Sequence, residues 1–271
     1  QRDYGDRKSR KNARMKYLLH EKGINWFKDI LVNKYYRKPI KPLREEPVNK
    51  LIDYLGWQKQ NNKKWFVGLP LLSGRLKGEK KLMIRKLVEK YNLDLRLTPN
   101  QDLLICSISN EHKNEIEIKL KEIGYENLND INEIQRHALA CPALPLCGLA
   151  MTEAERILPD ILERIDNLLK SLNIEKTILF RITGCPNGCS RPYMAELALV
   201  GSGLNKYQLW LGGSKNLQRL AKPYLQRMPL ENMETILTPL LLEWSKYSLD
   251  LDFGDFVDKN EDSFILDLLN N

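Results

Sequence analysis

Ala140-Cys-Pro-Ala-Leu-Pro-Leu-Cys-Gly-Leu-Ala-Met-Thr-Glu-Ala-Glu-Arg156 and Thr183-Gly-Cys-Pro-Asn-Gly-Cys-Ser-Arg-Pro-Tyr-Met-Ala-Glu196 carry four of the chain's five cysteines. Pro and Gly surround both pairs, Cys141 with Cys147 and Cys185 with Cys189. A disulfide framework is not needed, because 271 residues with 42% apolar content can build an ample core. Structural zinc sites favour pairs separated by roughly two to four residues, and only Cys185/Cys189 fits. A four-iron cluster asks for thiolates at the corners of a bulky cubane, with the chain bent around it and amides aimed at sulfur. Gly supplies the backbone freedom and close approach for such a loop, and Pro stiffens it without adding a donor. Ala143, Leu144, Leu146, Leu149 and Met151 are expected to keep water away. Spacing and loop content thus favour [4Fe-4S] ligation by Cys141, Cys147, Cys185 and Cys189 over zinc, which stays open. Cys106 stands apart in the apolar run 103–108 and reads as a small buried strand residue.

Working outward, Thr152 and Glu155 form a capping box that opens a helix to about Leu172, with a kink expected at Pro159. Residues 177–183, 197–200 and 207–211 read as strands, and 231–247 as a helix that Pro239 should bend or split. The acidic stretch 250–267 reads as a frayed polar tail. Upstream, 65–69 and the residues after Gly74 read as strands around a Ser-Gly turn. They are followed by a helix over 80–91, strands over 93–98 and 103–108, and a helix over 111–123. Strand, strand, helix, repeated once, suggests two helices on one sheet, as in a ferredoxin-like layer. Before it lie two helices broken at Gly23 and a Pro-rich connector over 38–47. The expected class is α+β, in three parts: a leading segment 1–47, a ferredoxin-like half-domain 48–130, and an α/β cysteine-bearing domain 131–271.

Charge is concentrated at one end. Residues 1–50 hold 15 basic and six acidic side chains, whereas the other 221 are nearly balanced. Arg2, Arg7, Lys8, Arg10, Lys11, Arg14 and Lys16 crowd one stretch. Such a cluster suits a solvated face, nucleic acid, an acidic protein or a carboxylate-rich ligand. No run approaches about 18 apolar residues, so no membrane span is expected. His20, His112 and His137 are isolated and read as exposed or capping residues.

The two cysteine segments, together with Arg2-Asp-Tyr-Gly-Asp-Arg-Lys-Ser-Arg-Lys-Asn-Ala-Arg-Met-Lys-Tyr17, Arg96-Leu-Thr-Pro-Asn-Gln101 and Phe253-Gly-Asp-Phe256, closely resemble the ferredoxin-dependent sulfite reductases. These belong to the wider sirohaem/[4Fe-4S] nitrite/sulfite reductase haemoprotein family. The resemblance implies a cluster held by the four cysteines, with Cys189 also the axial thiolate of sirohaem. It implies six-electron reduction of sulfite to sulfide, with electrons from ferredoxin arriving singly. Sirohaem is rich in carboxylates, so Arg2, Arg7 and Lys8 are expected to face it, with Asn187, Asn100 and Gln101 as neutral donors. Family members are about twice this long, so the chain reads as the C-terminal half, with the catalytic residues expected mainly in the other half. The Pro-Ala-Leu-Pro-Leu filling and the Ser-Arg-Pro-Tyr run resemble the sulfite branch more than the nitrite branch. The alternatives are a sirohaem nitrite reductase, a cluster-only electron carrier, and a zinc module binding nucleic acid through residues 1–16. A non-specific DNA contact remains compatible with the family reading, and the implied location is the cytoplasm, or the plastid stroma in a eukaryote.

Overall fold

Gly23, at φ 83°, interrupts the first helical run and separates α1 (Met15–Lys22) from α2 (Ile24–Ile30). The chain then widens into a π-helical turn over Leu31–Tyr36. The structure, a computed structural model, describes residues 1–8, 13–41, 52–128 and 131–270. Arg10 and Lys11, the connector from 42 to 47 and the division at 130/131 lie outside these described residues. The chain separates into two compact units, Gln1–Pro47 and Val48–Asn271. In the first, Leu18 is buried, Tyr4 meets Trp26 edge to face, and Lys34 lies 4.9 Å above the Tyr4 ring. That cation–π contact holds a segment with few buried apolar groups.

The second unit opens with a four-stranded sheet. β1 (Gly56–Lys59) and β2 (Trp65–Leu69) form a hairpin, and α3 (Gly78–Tyr91) leads to β3 (Asp94–Leu97), β4 (Leu103–Ile108) and α4 (Asn110–Glu122). All pairings are antiparallel, in the order β1-β2-β4-β3. The expected element order holds with one correction. The strand preceding the hairpin turn is Gly56–Lys59, whereas Leu72–Gly74 is a 3-10 turn and no strand follows Gly74. Gly68 explains the tight fit of the segment before β1, since a Cβ there would lie 1.8 Å from the Tyr54 carbonyl oxygen. Val67, Leu69, Ile84, Leu87, Ile105, Ile108, Ile116 and Leu120 fill the space between sheet and helices. Cys106 is buried on β4.

After the short helix α5 (Glu133–Arg136) comes a five-stranded sheet. β5 (Leu139–Ala140), β6 (Phe180–Thr183), β7 (Leu197–Gly203), β8 (Lys206–Leu211) and β9 (Lys222–Pro229) lie along the sheet in chain order, with α6 (Leu158–Ser171) connecting β5 to β6. β5, β6 and β7 are parallel, and β7 to β9 are antiparallel. α7 (Met233–Ser245), α8 (Phe253–Lys259) and α9 (Asp262–Asn270) complete this lobe. Its core joins Phe180, Ile182, Leu197 and Leu199 to Ile161, Ile165, Leu237, Leu241 and Trp244.

Four expectations are corrected here. α6 begins at Leu158, so Pro159 sits in the first turn, where its missing N–H costs nothing, and not in the interior. Thr152 and Glu155 do not cap it: Thr152 is buried and bonds Tyr207, and Glu155 pairs with Arg75. α7 is not split, since it continues through Pro239. The acidic tail is not frayed, because Phe253, Phe256, Val257, Ile265 and Leu269 are buried in the core at helical spacing.

Candidate functional site

Both cysteine loops leave the carboxyl ends of adjacent parallel strands. β5 delivers Cys141 one residue past Ala140, and β6 delivers Cys185 two past Thr183. The strands pair Leu139 with Arg181 and Ala140 with Ile182, which brings the loops side by side. Met151 N–H donates to the Gly184 carbonyl at 2.8 Å, and Leu144 N–H to that of Thr152 at 3.4 Å. Gly184 is required where the loops meet: a Cβ would lie 2.6 Å from the Ala143 Cβ. Gly201 on β7 is equally confined, since its Cβ would lie 2.3 Å from the Gly184 carbonyl oxygen.

Within the loops, Cys147 N–H donates to Ala143 at 2.7 Å and Ala150 N–H to Cys147 at 3.0 Å. In the second loop Gly188 takes φ 68°, and Arg191 N–H donates to its carbonyl at 2.9 Å. Ser190 Oγ donates back to Ile182 at 2.7 Å, and Tyr193 Oη to Pro186 at 2.8 Å. The chain therefore turns twice over the ends of β5 and β6, pinned by its own backbone.

The thiols differ in exposure. Cys141 and Cys185 are buried, Cys147 is half-buried and Cys189 is exposed. Cys141 Sγ accepts hydrogen bonds from Gly184 N–H at 3.2 Å and from the Thr183 hydroxyl at 3.3 Å. Donors aimed at sulfur are what a thiolate bound to iron requires. The donor set thus fits an iron–sulfur cluster: four thiols on two confined loops, with amide and hydroxyl donors at Cys141. Among the described residues, no three His, Cys, Asp or Glu side chains converge to hold a single metal ion.

Asn100 and Gln101 lie beside these loops. Gln101 Nε2 donates to the Ala140 carbonyl at 3.0 Å, and Arg191 Nη2 donates to the Pro99 carbonyl at 2.6 Å and to Asn100 Oδ1 at 3.4 Å. Asn187 is half-buried within the second loop. Arg2, Arg7 and Lys8 belong to the Gln1–Pro47 unit and are exposed there, Arg2 paired with Asp3 at 2.7 Å. The apolar loop residues do not seal the site within this chain: Ala143 is buried, but Leu146, Leu149 and Met151 are exposed.

Two groups, Arg181 and Glu196, lie outside the residues singled out from the sequence. Arg181 is fully buried on β6, and among the described residues Nε and Nη2 of its guanidinium have no hydrogen-bond partner. Burial, and secondarily Arg191, lowers its pKa to about 10. Glu196 is also fully buried. It accepts from Leu179 N–H at 2.8 Å and Gly254 N–H at 2.9 Å, and burial raises its pKa to about 7. His137, read from the sequence as exposed or capping, is the half-buried C-cap of α5, and burial lowers its pKa. Lone charged residues within apolar runs, as in Thr177–Thr183 and Ala195–Val200, were the available signal.

Residues 58–123 match the nitrite/sulfite reductase ferredoxin-like half domain. The chain is 46% identical over 265 residues to the sulfite reductase (ferredoxin) of Synechococcus elongatus, covering 96% of this chain and 42% of that protein. It is 40% identical to the sulfite reductase (NADPH) hemoprotein beta-component of Staphylococcus epidermidis, covering 95% of this chain and 46% of that one. The Mycobacterium tuberculosis NirA structure superposes with TM-score 0.78 at 25% identity, over 98% of this chain and 51% of that one. The chain thus spans about half the length of the curated relatives it matches. None of these similarities supports a DNA contact, and no helix among the described residues is long and apolar enough to cross a membrane. In a half domain over 58–123, and in sequence and fold along nearly all of its length, the chain is similar to about half of a nitrite or sulfite reductase.

Proposed function

We propose that this chain supplies the cluster-binding portion of a ferredoxin-dependent sulfite reductase, corresponding to the C-terminal half of a longer enzyme. The observation that carries the reading is the apposition of the two cysteine loops, with Gly184 N–H and the Thr183 hydroxyl directed at Cys141 Sγ. Cys141, Cys147, Cys185 and Cys189 would hold a [4Fe-4S] cluster, and exposed Cys189 is the thiolate best placed to be shared with sirohaem iron. When bound, the two groups supply single electrons to sulfite sulfur. The chain's own residues do the positioning: Thr183 and Gly184 orient Cys141, the confined glycines keep the loops together, and Gln101 ties the neighbouring lobe to Ala140. Asn187, Asn100 and Gln101 are proposed as neutral donors to the macrocycle, and Arg2, Arg7 and Lys8 as partners for its carboxylates. The three-part division at 47/48 and 130/131 belongs to the same reading, as does a cytoplasmic or plastid location.

Sulfite is favoured over nitrite as substrate because the relatives above are named sulfite reductases. The test compares sulfite-driven and nitrite-driven oxidation of reduced ferredoxin by the full protein, with iron and sirohaem quantified. Faster turnover with sulfite is expected, and a colourless, iron-free protein overturns the proposal. Residues 1–271 alone are expected to bind iron but not to complete the reduction.

A further inference from the structure

Arg181 is a cation in the wrong place for an ordinary core. It is fully buried on β6, yet among the described residues no carboxylate pairs with it. Nη1 donates to the Arg191 carbonyl at 3.1 Å, while Nε and Nη2 have no hydrogen-bond partner among the described residues. A buried charge is costly unless something nearby compensates it. Among the described residues, the charged group acting on it is Arg191, which has the same sign and likewise bonds neutral oxygens, those of Pro99 and Asn100.

The position narrows what the missing countercharge is. Arg181 is in register with Leu139, two residues before Cys141. It shares a strand face with Thr183, whose hydroxyl bonds Cys141 Sγ. Its own bond reaches the backbone two residues past Cys189. Segments carrying Cys141, Cys185 and Cys189 therefore surround it. An oxidised [4Fe-4S] core with four thiolates carries a net charge of about −2 and gains one more negative charge on reduction.

We propose that Arg181, with Arg191 beside it, is the built-in countercharge of the four-cysteine site, a positioning pair that raises the cluster's reduction potential. The inference rests on the cluster reading above. Cations in a low-dielectric setting favour the more negative, reduced state, and the effect does not require contact with sulfur. It also explains the absent ion pair, since a carboxylate partner would cancel the field the site uses.

The test is an EPR-monitored redox titration of the full protein, using dithionite and soluble one-electron mediators, with iron measured per chain. At the potential where half the wild-type cluster is reduced, Arg181→Gln is expected to lower the reduced-to-oxidised ratio roughly tenfold, about 59 mV for one electron. Arg181→Lys should stay within about twofold of wild type, and Arg191→Gln should move the ratio in the same direction by less. An unchanged ratio in Arg181→Gln at wild-type iron content overturns the proposal. Should that variant fail to load iron, the titration of Arg191→Gln decides, and no shift there overturns it. Wild-type protein without iron would instead sink the cluster reading itself.

Discussion

Glu196 is a carboxyl at the centre of the larger lobe, clamping Leu179 at the entry to β6 to Gly254 at the start of α8. Its pKa, ordinarily 4.5, is pushed up to about 7 by burial. Between these values the folded chain holds a proton that the unfolded chain has released, so stability falls as pH rises from about 4.5 to about 7. Asp102, pushed up to about 6 by burial, adds a slope of the same sign. His137, whose pKa lies below its ordinary 6.5, acts oppositely as pH falls. Urea midpoints measured from pH 5 to 7.5 should therefore decline less steeply in Glu196→Gln than in wild type. That variant should also lose about 1–3 kcal/mol, because an amide cannot accept from two N–H groups at both ends. Gly254→Ala places a Cβ 1.8 Å from the Gly213 carbonyl oxygen and should cost about 3 kcal/mol in the same assay.

Among the elements, the two cysteine loops are separable from the strands that carry them. Cys141→Ser or Cys185→Ser should abolish the broad iron–sulfur absorption while leaving far-ultraviolet dichroism in place. Cys106→Ser, buried on β4 outside the set, should retain that absorption and cost about 1–2 kcal/mol. Much at this scale was legible beforehand. Leu103–Ile108, the helix at 80–91 and the strand through Val200 announce themselves by their apolar content. The misreadings share one cause: tertiary contacts outbid local signals. Thr152 had a capping pattern but found Tyr207 and Asn205 as partners. The acidic tail had buried residues at helical spacing, Phe253, Phe256 and Val257, hidden by the charges between them. β9, with a Pro at each end of its stretch, was missed because its strand character comes from pairing with β8.

For the Val48–Asn271 unit as a whole, two hydrophobic cores lie under two sheets, joined by Arg75–Glu155, Arg136–Asp53 and the loop bearing Gln101. Polar bridges of this kind leave each core its own unit of local stability. Ile105→Ala, which empties part of the smaller core, should cost about 2–5 kcal/mol. Hydrogen exchange should then show protection lost across 56–122 and retained across 158–245.

The sequence by itself determined the four cysteines in their Pro and Gly loops, most of the strands and helices, and the family resemblance, because these depend on spacing and on short-range backbone chemistry. Only the tertiary structure decided that Gly184 and Thr183 face Cys141, that Glu196 is a buried clamp, and that Arg181 is a buried cation with no carboxylate partner among the described residues. Those facts depend on which strands become neighbours and on how much water is excluded. One charged letter in an apolar run does not say what will surround it.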